Sequence, residues 1–316
     1  MADGTVRIAI VGAGDIGRGW GALCVANGWP VTMYDSESSA LDQAMDEVAE
    51  RAQHLVQLDN ATVGAVEHGL GQLAQGRSLL NACQEAEWVI EAVHEDLITK
   101  QKLFEGLESA ALKARVVTSS SSTLHAADIA ARCRRPDRVF VAHPLNPPEL
   151  VPLVELLSHP SADGALLEIL KGWLRALGRI PVTLKKPVRG NVANRIAAAV
   201  WRESIQLVLD GVIDVDDLDR AISLGPGISL AAAGPHLGYH LAAGGRGLRG
   251  YFQQLARDFE GIWADLASWD KLEPEQQSRL VSAIEKSYAE NLDVIRRARD
   301  RRLAALLGVL DPKRGG

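Results

Sequence analysis

Long apolar runs, basic tracts and paired cysteines are all scarce in this 316-residue chain, and each scarcity removes a class of protein. No stretch approaches the roughly 20 apolar residues that a membrane-spanning helix needs, so no membrane partner is expected. The net charge of −6, with no basic run outside Arg132–Arg138 and the last helical stretch, argues against nucleic acid as a partner. Three cysteines, Cys24, Cys83 and Cys133, have neither disulfide-framework nor metal-ligand spacing. A reduced, cytoplasmic and metal-free protein is the expectation. The first apolar strand begins almost at once, which leaves no room ahead of it for a signal peptide. Internal repeats and low-complexity segments are absent as well. Apolar content of 47% and charged content of 23% fit a globular chain long enough for two substantial cores.

What is present is organised around the stretch from Thr5 to Asp35. Ile8, Ala9, Ile10 and Val11 run into Gly12-Ala13-Gly14-Asp15-Ile16-Gly17; a helical pattern continues to Asn27 and Gly28, and Val31–Tyr34 ends on Asp35. Strand, glycine turn, helix, strand and acid follow in the order of a dinucleotide-binding βαβ unit. Gly12 suits the tight turn, Gly14 a close approach of backbone amides to a pyrophosphate, and Gly17 close packing of helix on strand. Asp15 and Ile16 open the helix, whose free N–H groups and dipole favour phosphate. Asp35 stands where a carboxylate accepts ribose hydroxyls and repels a 2′-phosphate. Ser36, Glu37, Ser38 and Ser39 follow it and offer no Arg or Lys to such a phosphate, so NAD is expected rather than NADP.

Farther along, Ser38 or Ser39 is placed to cap a helix over about 40–58, and a second helical stretch spans about 62–73. This excursion is acidic: from Ser36 to Gly76 there are seven Asp or Glu and one basic residue, Arg51. Trp88–Val93, Val116–Ser119, Val139–His143 and Ile180–Leu184 read as strands, with helical segments between them and an apolar run at Val151–Leu157. Strands stop at Lys185-Lys186-Pro187, and the patterns from Asn191 onward are helical. The fold class expected is α/β: a Rossmann-like, doubly wound domain over 1–186, then an all-helical domain over 187–316.

Oxidation of an alcohol by NAD requires a base for the hydroxyl proton. His143 is the best placed, at a strand end that runs into a proline-rich bend on the ligand side of such sheets. Glu155 lies in a mostly apolar segment and needs a partner, which an imidazole would supply. A carboxylate on one ring nitrogen fixes the tautomer and supports the imidazolium formed at the other. Ser122 and Asn194 are short polar side chains suited to holding the substrate oxygen.

The segment HPLNPPELVPLVEL (His143–Leu156), with SSSSTL before it and GNVANR after it, resembles the 3-hydroxyacyl-CoA dehydrogenase superfamily. GAGDIGRGWG, GVIDVDDLD and Gly234-Pro235 look most like its λ-crystallin branch, which holds L-gulonate 3-dehydrogenase, with carnitine dehydrogenase a near neighbour. The resemblance implies a catalytic set on Ser122, His143, Glu155 and Asn194. Asn191 is the alternative for the last, but the family's Asn-Arg pair matches Asn194-Arg195. It also implies Asn146 and Ser122 near the nicotinamide ribose and amide, Glu95 and Lys100 as the cofactor-side acid and lysine, and a homodimer formed with the helical domain.

Two departures from the pattern bear on substrate. Relatives that use CoA carry lysines in the excursion, whereas no lysine precedes Lys100 here. Gulonate-type relatives carry an Arg and an aromatic residue before Gly-Pro, where this chain has Ser229 and Leu230. The reading is therefore NAD-dependent oxidation of the 3-hydroxyl of a small, free hydroxy acid, in the manner of L-gulonate 3-dehydrogenase. Carnitine and acyl-CoA substrates are the alternatives, and a crystallin-like structural NAD-binding protein is the rival outside enzymes. The complete Ser, His, Glu and Asn set speaks against that last rival.

Overall fold

The structure is a computed structural model that describes residues 5–254 and 256–310. One compact unit runs to Asn194 and a second begins at Arg195.

The first unit alternates strand and helix: β1 (Ile8–Val11), α1 (Asp15–Ala26), β2 (Val31–Tyr34), α2 (Ser38–Gln57), α3 (Val63–Leu70), β3 (Leu73–Gln75), α4 (Leu79–Cys83), β4 (Trp88–Glu91), α5 (Leu97–Ala110), β5 (Val116–Ser119), α6 (Ala126–Ile129), β6 (Val139–Pro144), β7 (Leu153–Ser158), α7 (Gly164–Ala176) and β8 (Ile180–Thr183). These strands make one eight-stranded sheet in the order β3-β2-β1-β4-β5-β6-β7-β8. The pairs from β3 to β6 are parallel; β7 runs antiparallel to β6, and β8 parallel to β7. The parallel strands β1 and β4 are buried along their whole length, which is why they read as apolar runs rather than alternations. Strand order reverses between β1 and β4, and the mouth of that switch point is where ligands of such sheets bind.

Indoles fill the space between sheet and helices. Trp88 stacks on Trp173 at 5.8 Å and meets the edge of Trp20 at 6.0 Å. Their N–H groups are satisfied, Trp88 by Thr118 Oγ1 at 2.9 Å and Trp20 by Ser120 Oγ at 3.2 Å.

Two local expectations give way. Residue 73 opens β3 rather than ending a helix, since α3 stops at Leu70. The N-cap of α2 is Glu37, with no side-chain cap bond, so neither Ser38 nor Ser39 performs that role.

The described elements of the second unit are all helical, joined by short connections: most of α8 (Ala193–Leu209), then α9 (Val215–Leu224), α10 (Pro226–Ala242), α11 (Gly247–Gln254), α12 (Ala256–Asp265), α13 (Pro274–Ser287) and α14 (Leu292–Leu310). Pro235 cannot continue a helix, and α10 breaks just before it at Gly234, with φ 70°.

Candidate active site

The antiparallel return of β7 sets His143 directly opposite Glu155 in the sheet. Both side chains are buried, and His143 Nδ1 lies 3.0 Å from Glu155 Oε2. The other carboxylate oxygen accepts the backbone N–H groups of Val192 at 2.8 Å and Ala193 at 3.0 Å, at the start of α8. Those donors fix the carboxylate, so Oε2 accepts Nδ1–H and Nε2 keeps its lone pair for a proton.

His143 lines a cavity of about 310 Å³ together with Ser122, Asn194, Asn146, Glu95 and Lys100, and Ile16 completes this side of the wall. Both Ser122 and Asn194 therefore share a cavity with the imidazole. Ser122 is braced from two directions: its N–H donates to Glu95 Oε1 at 3.2 Å, and its carbonyl accepts from Asn191 Nδ2 at 3.4 Å. Asn191 is buried with φ 50°, so it supports the serine loop while Asn194 lines the cavity.

Glu95 organises that loop, accepting from Ser121 Oγ at 2.5 Å and from the N–H and hydroxyl of Thr123 at 3.0 and 2.9 Å. Burial pushes its carboxyl up, but these donors and the Lys100 ammonium outweigh burial and hold it below the usual range. Lys100 is 1% exposed, and its ammonium donates to Glu91 at 2.5 Å and to the Val93 carbonyl at 3.1 Å, with Glu95 at 3.4 Å. Glu91, which also accepts from Ser119 Oγ at 2.5 Å, is absent from the candidates named above. Its signal was available: a carboxylate closes the apolar strand WVIE, and such a group demands a cation within reach.

At the switch point, Gly12 has φ 109°, and a Cβ there would lie 2.5 Å from the Ala92 backbone. A Cβ on Gly17 would lie 2.0 Å from the Gly12 carbonyl, so both positions require glycine. Gly14 differs: a Cβ would meet nothing within 4 Å, and no side chain caps the helix it precedes. Open ground before an uncapped helix N-terminus suits a pyrophosphate. Asp35 directly follows β2 beside this turn and braces it, its Oδ2 accepting Ala13 N–H at 2.7 Å. Its Oδ1 accepts Glu37 N–H at 3.0 Å and the exposed Ser36 hydroxyl at 3.4 Å. Asn146, on the cavity wall, donates to Asp15 Oδ2 at 3.1 Å. These residues fit a dinucleotide. Among the described residues, no cluster of His, Cys, Asp and Glu could hold a metal ion, and no helix is long and apolar enough to cross a membrane.

The model for the NAD-binding domain of 3-hydroxyacyl-CoA dehydrogenase matches residues 7–187, and that for its C-terminal domain matches residues 190–282. The chain belongs to the 3-hydroxyacyl-CoA dehydrogenase family. As a member of that family it is an NAD-dependent oxidoreductase acting on a hydroxyl group. Its relatives include an L-carnitine dehydrogenase of Burkholderia mallei, 34% identical over 89% of this chain and 85% of that one. Another is the L-carnitine dehydrogenase/betainyl-CoA thioesterase of Ruegeria pomeroyi, 29% identical over 98% of this chain, which spans 63% of that longer protein. A solved structure of FHMPC 5-dehydrogenase, an NAD+-dependent dismutase, superposes with a TM-score of 0.82 at 27% identity, covering 98% of this chain and 99% of that one. Both of these relatives are named for carnitine rather than gulonate. The gulonate side of the resemblance rests on the motifs alone.

Proposed function

We propose that this member of the family oxidises the 3-hydroxyl of a small, free 3-hydroxy acid. Ser122 and Asn194 hold the hydroxyl oxygen, and His143 Nε2 removes its proton while Glu155 stabilises the imidazolium that forms. Bound NAD supplies the acceptor for the hydride leaving C3, and a 3-keto acid results. Residues Gly12–Gly17, Asp35 and Ser36 hold the cofactor's adenosine and phosphate side, with Glu95, Lys100 and Asn146 toward its nicotinamide side.

The observation that carries the substrate reading is the engagement of Arg51. It is the one basic residue of the Ser36–Gly76 excursion, and its guanidinium faces Asp15, Glu47 and Glu149. A polyanionic CoA head group therefore meets an acidic surface whose single cation is already neutralised. Carnitine, the alternative to a gulonate-like acid on the sequence alone, is itself a free 3-hydroxy acid, so the proposal widens to include the activity for which the relatives are named. Following NADH absorbance with L-carnitine, L-gulonate, 3-hydroxybutyrate and 3-hydroxybutyryl-CoA tests the reading. A free acid is expected to give the highest kcat/KM. Turnover of the CoA thioester far above every free acid overturns it.

A homodimer is part of the proposal. The second unit leaves large apolar side chains in water, among them Trp201 at 62% exposure, Leu224 at 72% and Trp263 at 59%, and a second copy of the chain would cover them. Light scattering at micromolar concentration should give twice the 34.0 kDa chain mass; the mass of a single chain would refute it.

A further inference from the structure

A carboxylate occupies an unfavourable place in this cofactor site. Asp15 is the first residue of α1, directly after Gly14, where the helix N-terminus receives phosphate. A negative charge there suits the helix dipole but repels a pyrophosphate. The chain answers from outside the βαβ unit. Arg51, on α2, contacts Asp15 Oδ1 directly and lies 3.4 Å from the Asp15 carbonyl. The same guanidinium reaches Glu149 at 3.5 Å and Glu47 at 3.7 Å, and Arg18 takes the other Glu47 oxygen at 2.7 Å. Burial pushes the Asp15 carboxyl up, yet the bond and charge of Arg51, with help from Asn146, hold it below the ordinary range. Asp15 is thus ionised and needs its counter-charge.

We propose that Arg51 is a cofactor-affinity residue, cancelling the Asp15 charge at the α1 N-terminus so that the NAD pyrophosphate can be received there. Arg51 is the basic side chain that bonds the Asp15 carboxylate directly, and Arg18 adds a weaker attraction from farther away. Without Arg51, Asp15 would lose its bonded cation, and Glu47 would keep Arg18 as its ion-pair partner, beside the phosphate position.

The test is direct titration with NADH, read by fluorescence and independent of any substrate. Arg51→Met should raise the NADH Kd about tenfold, equivalent to about 1.4 kcal/mol. Adenosine, which has no phosphate, should compete equally well against the variant and the parent. Adding Asp15→Asn to Arg51→Met should return the NADH Kd to within roughly threefold of the parent, because the uncompensated charge is then gone. If Arg51→Met does not fold, Arg51→Gln carries the same comparison. An unchanged NADH Kd overturns the proposal. So does an equal loss of adenosine binding, which marks general distortion of the site, or a failure of Asp15→Asn to restore affinity.

Discussion

The two ends of the first unit's ligand site handle charge in opposite ways. At the His143 end, buried groups meet out of water, His143 Nδ1 with Glu155 at 3.0 Å and Lys100 with Glu91 at 2.5 Å, and Lys100 also reaches Glu95 at 3.4 Å. At the Asp15 end, Asp15, Arg51, Glu47, Arg18 and Glu149 form a cluster, with the Asp15 side chain 55% exposed and that of Arg51 26% exposed. Coulomb attraction is several times stronger in the dehydrated setting, and salt screens it far less. The His143 end therefore depends on buried partners held in fixed geometry. The phosphate end depends on a summed charge that solvent shares.

The largest effect expected from this contrast is structural. Lys100→Met leaves Glu91 buried without its cation and should lower stability by about 3–5 kcal/mol, nearly independent of salt. Urea unfolding at low and high ionic strength measures it. A loss below about 1 kcal/mol, or one that salt abolishes, would place this pair with ordinary surface ion pairs. Next comes the base. His143→Ala should lower kcat about a hundredfold or more, roughly 2.7 kcal/mol, while NADH titrates as in the parent. Glu155→Gln should also turn over slowly, since its amide oxygen still accepts the Val192 and Ala193 N–H groups but the charge supporting imidazolium is lost. Near-normal turnover in both variants would remove the base–orienter assignment. The smallest effect belongs to the solvated end. Asp35→Ala should erode the preference for NAD over NADP by about tenfold in kcat/KM, about 1.4 kcal/mol. Equal use of the two cofactors by the parent enzyme would mean that Asp35 does not set the preference.

The sequence made the βαβ unit legible because two of its glycines answer a local steric demand: Gly12 and Gly17 have no room for a Cβ. His143 and Glu155 were legible as a pair because a carboxylate in an apolar strand needs a partner, although their antiparallel register was not. What escaped was of two kinds. Strand β3 has three residues at a sheet edge, two of them exposed, too few to display a period. The ties of Arg51 to Asp15 and Glu149 span 36 and 98 residues, and nothing local in sequence announces such a contact. Glu91 lies between these cases, since its need for a cation was visible and Lys100 stands only nine residues away.

Because His143 and Glu155 are opposite rungs of one antiparallel ladder, their spacing belongs to the backbone hydrogen bonds of β6 and β7 and not to the loop that joins them. The hairpin tip between Pro144 and Leu153 has ties of its own: Glu149 faces Arg51, and Arg179 donates to the Pro148 and Val151 carbonyls at 3.1 Å. Asn146 rides on that tip, at the cavity wall. The sheet therefore sets the gauge of the His143–Glu155 pair, while separate side-chain ties hold the tip that carries Asn146 to the cavity wall.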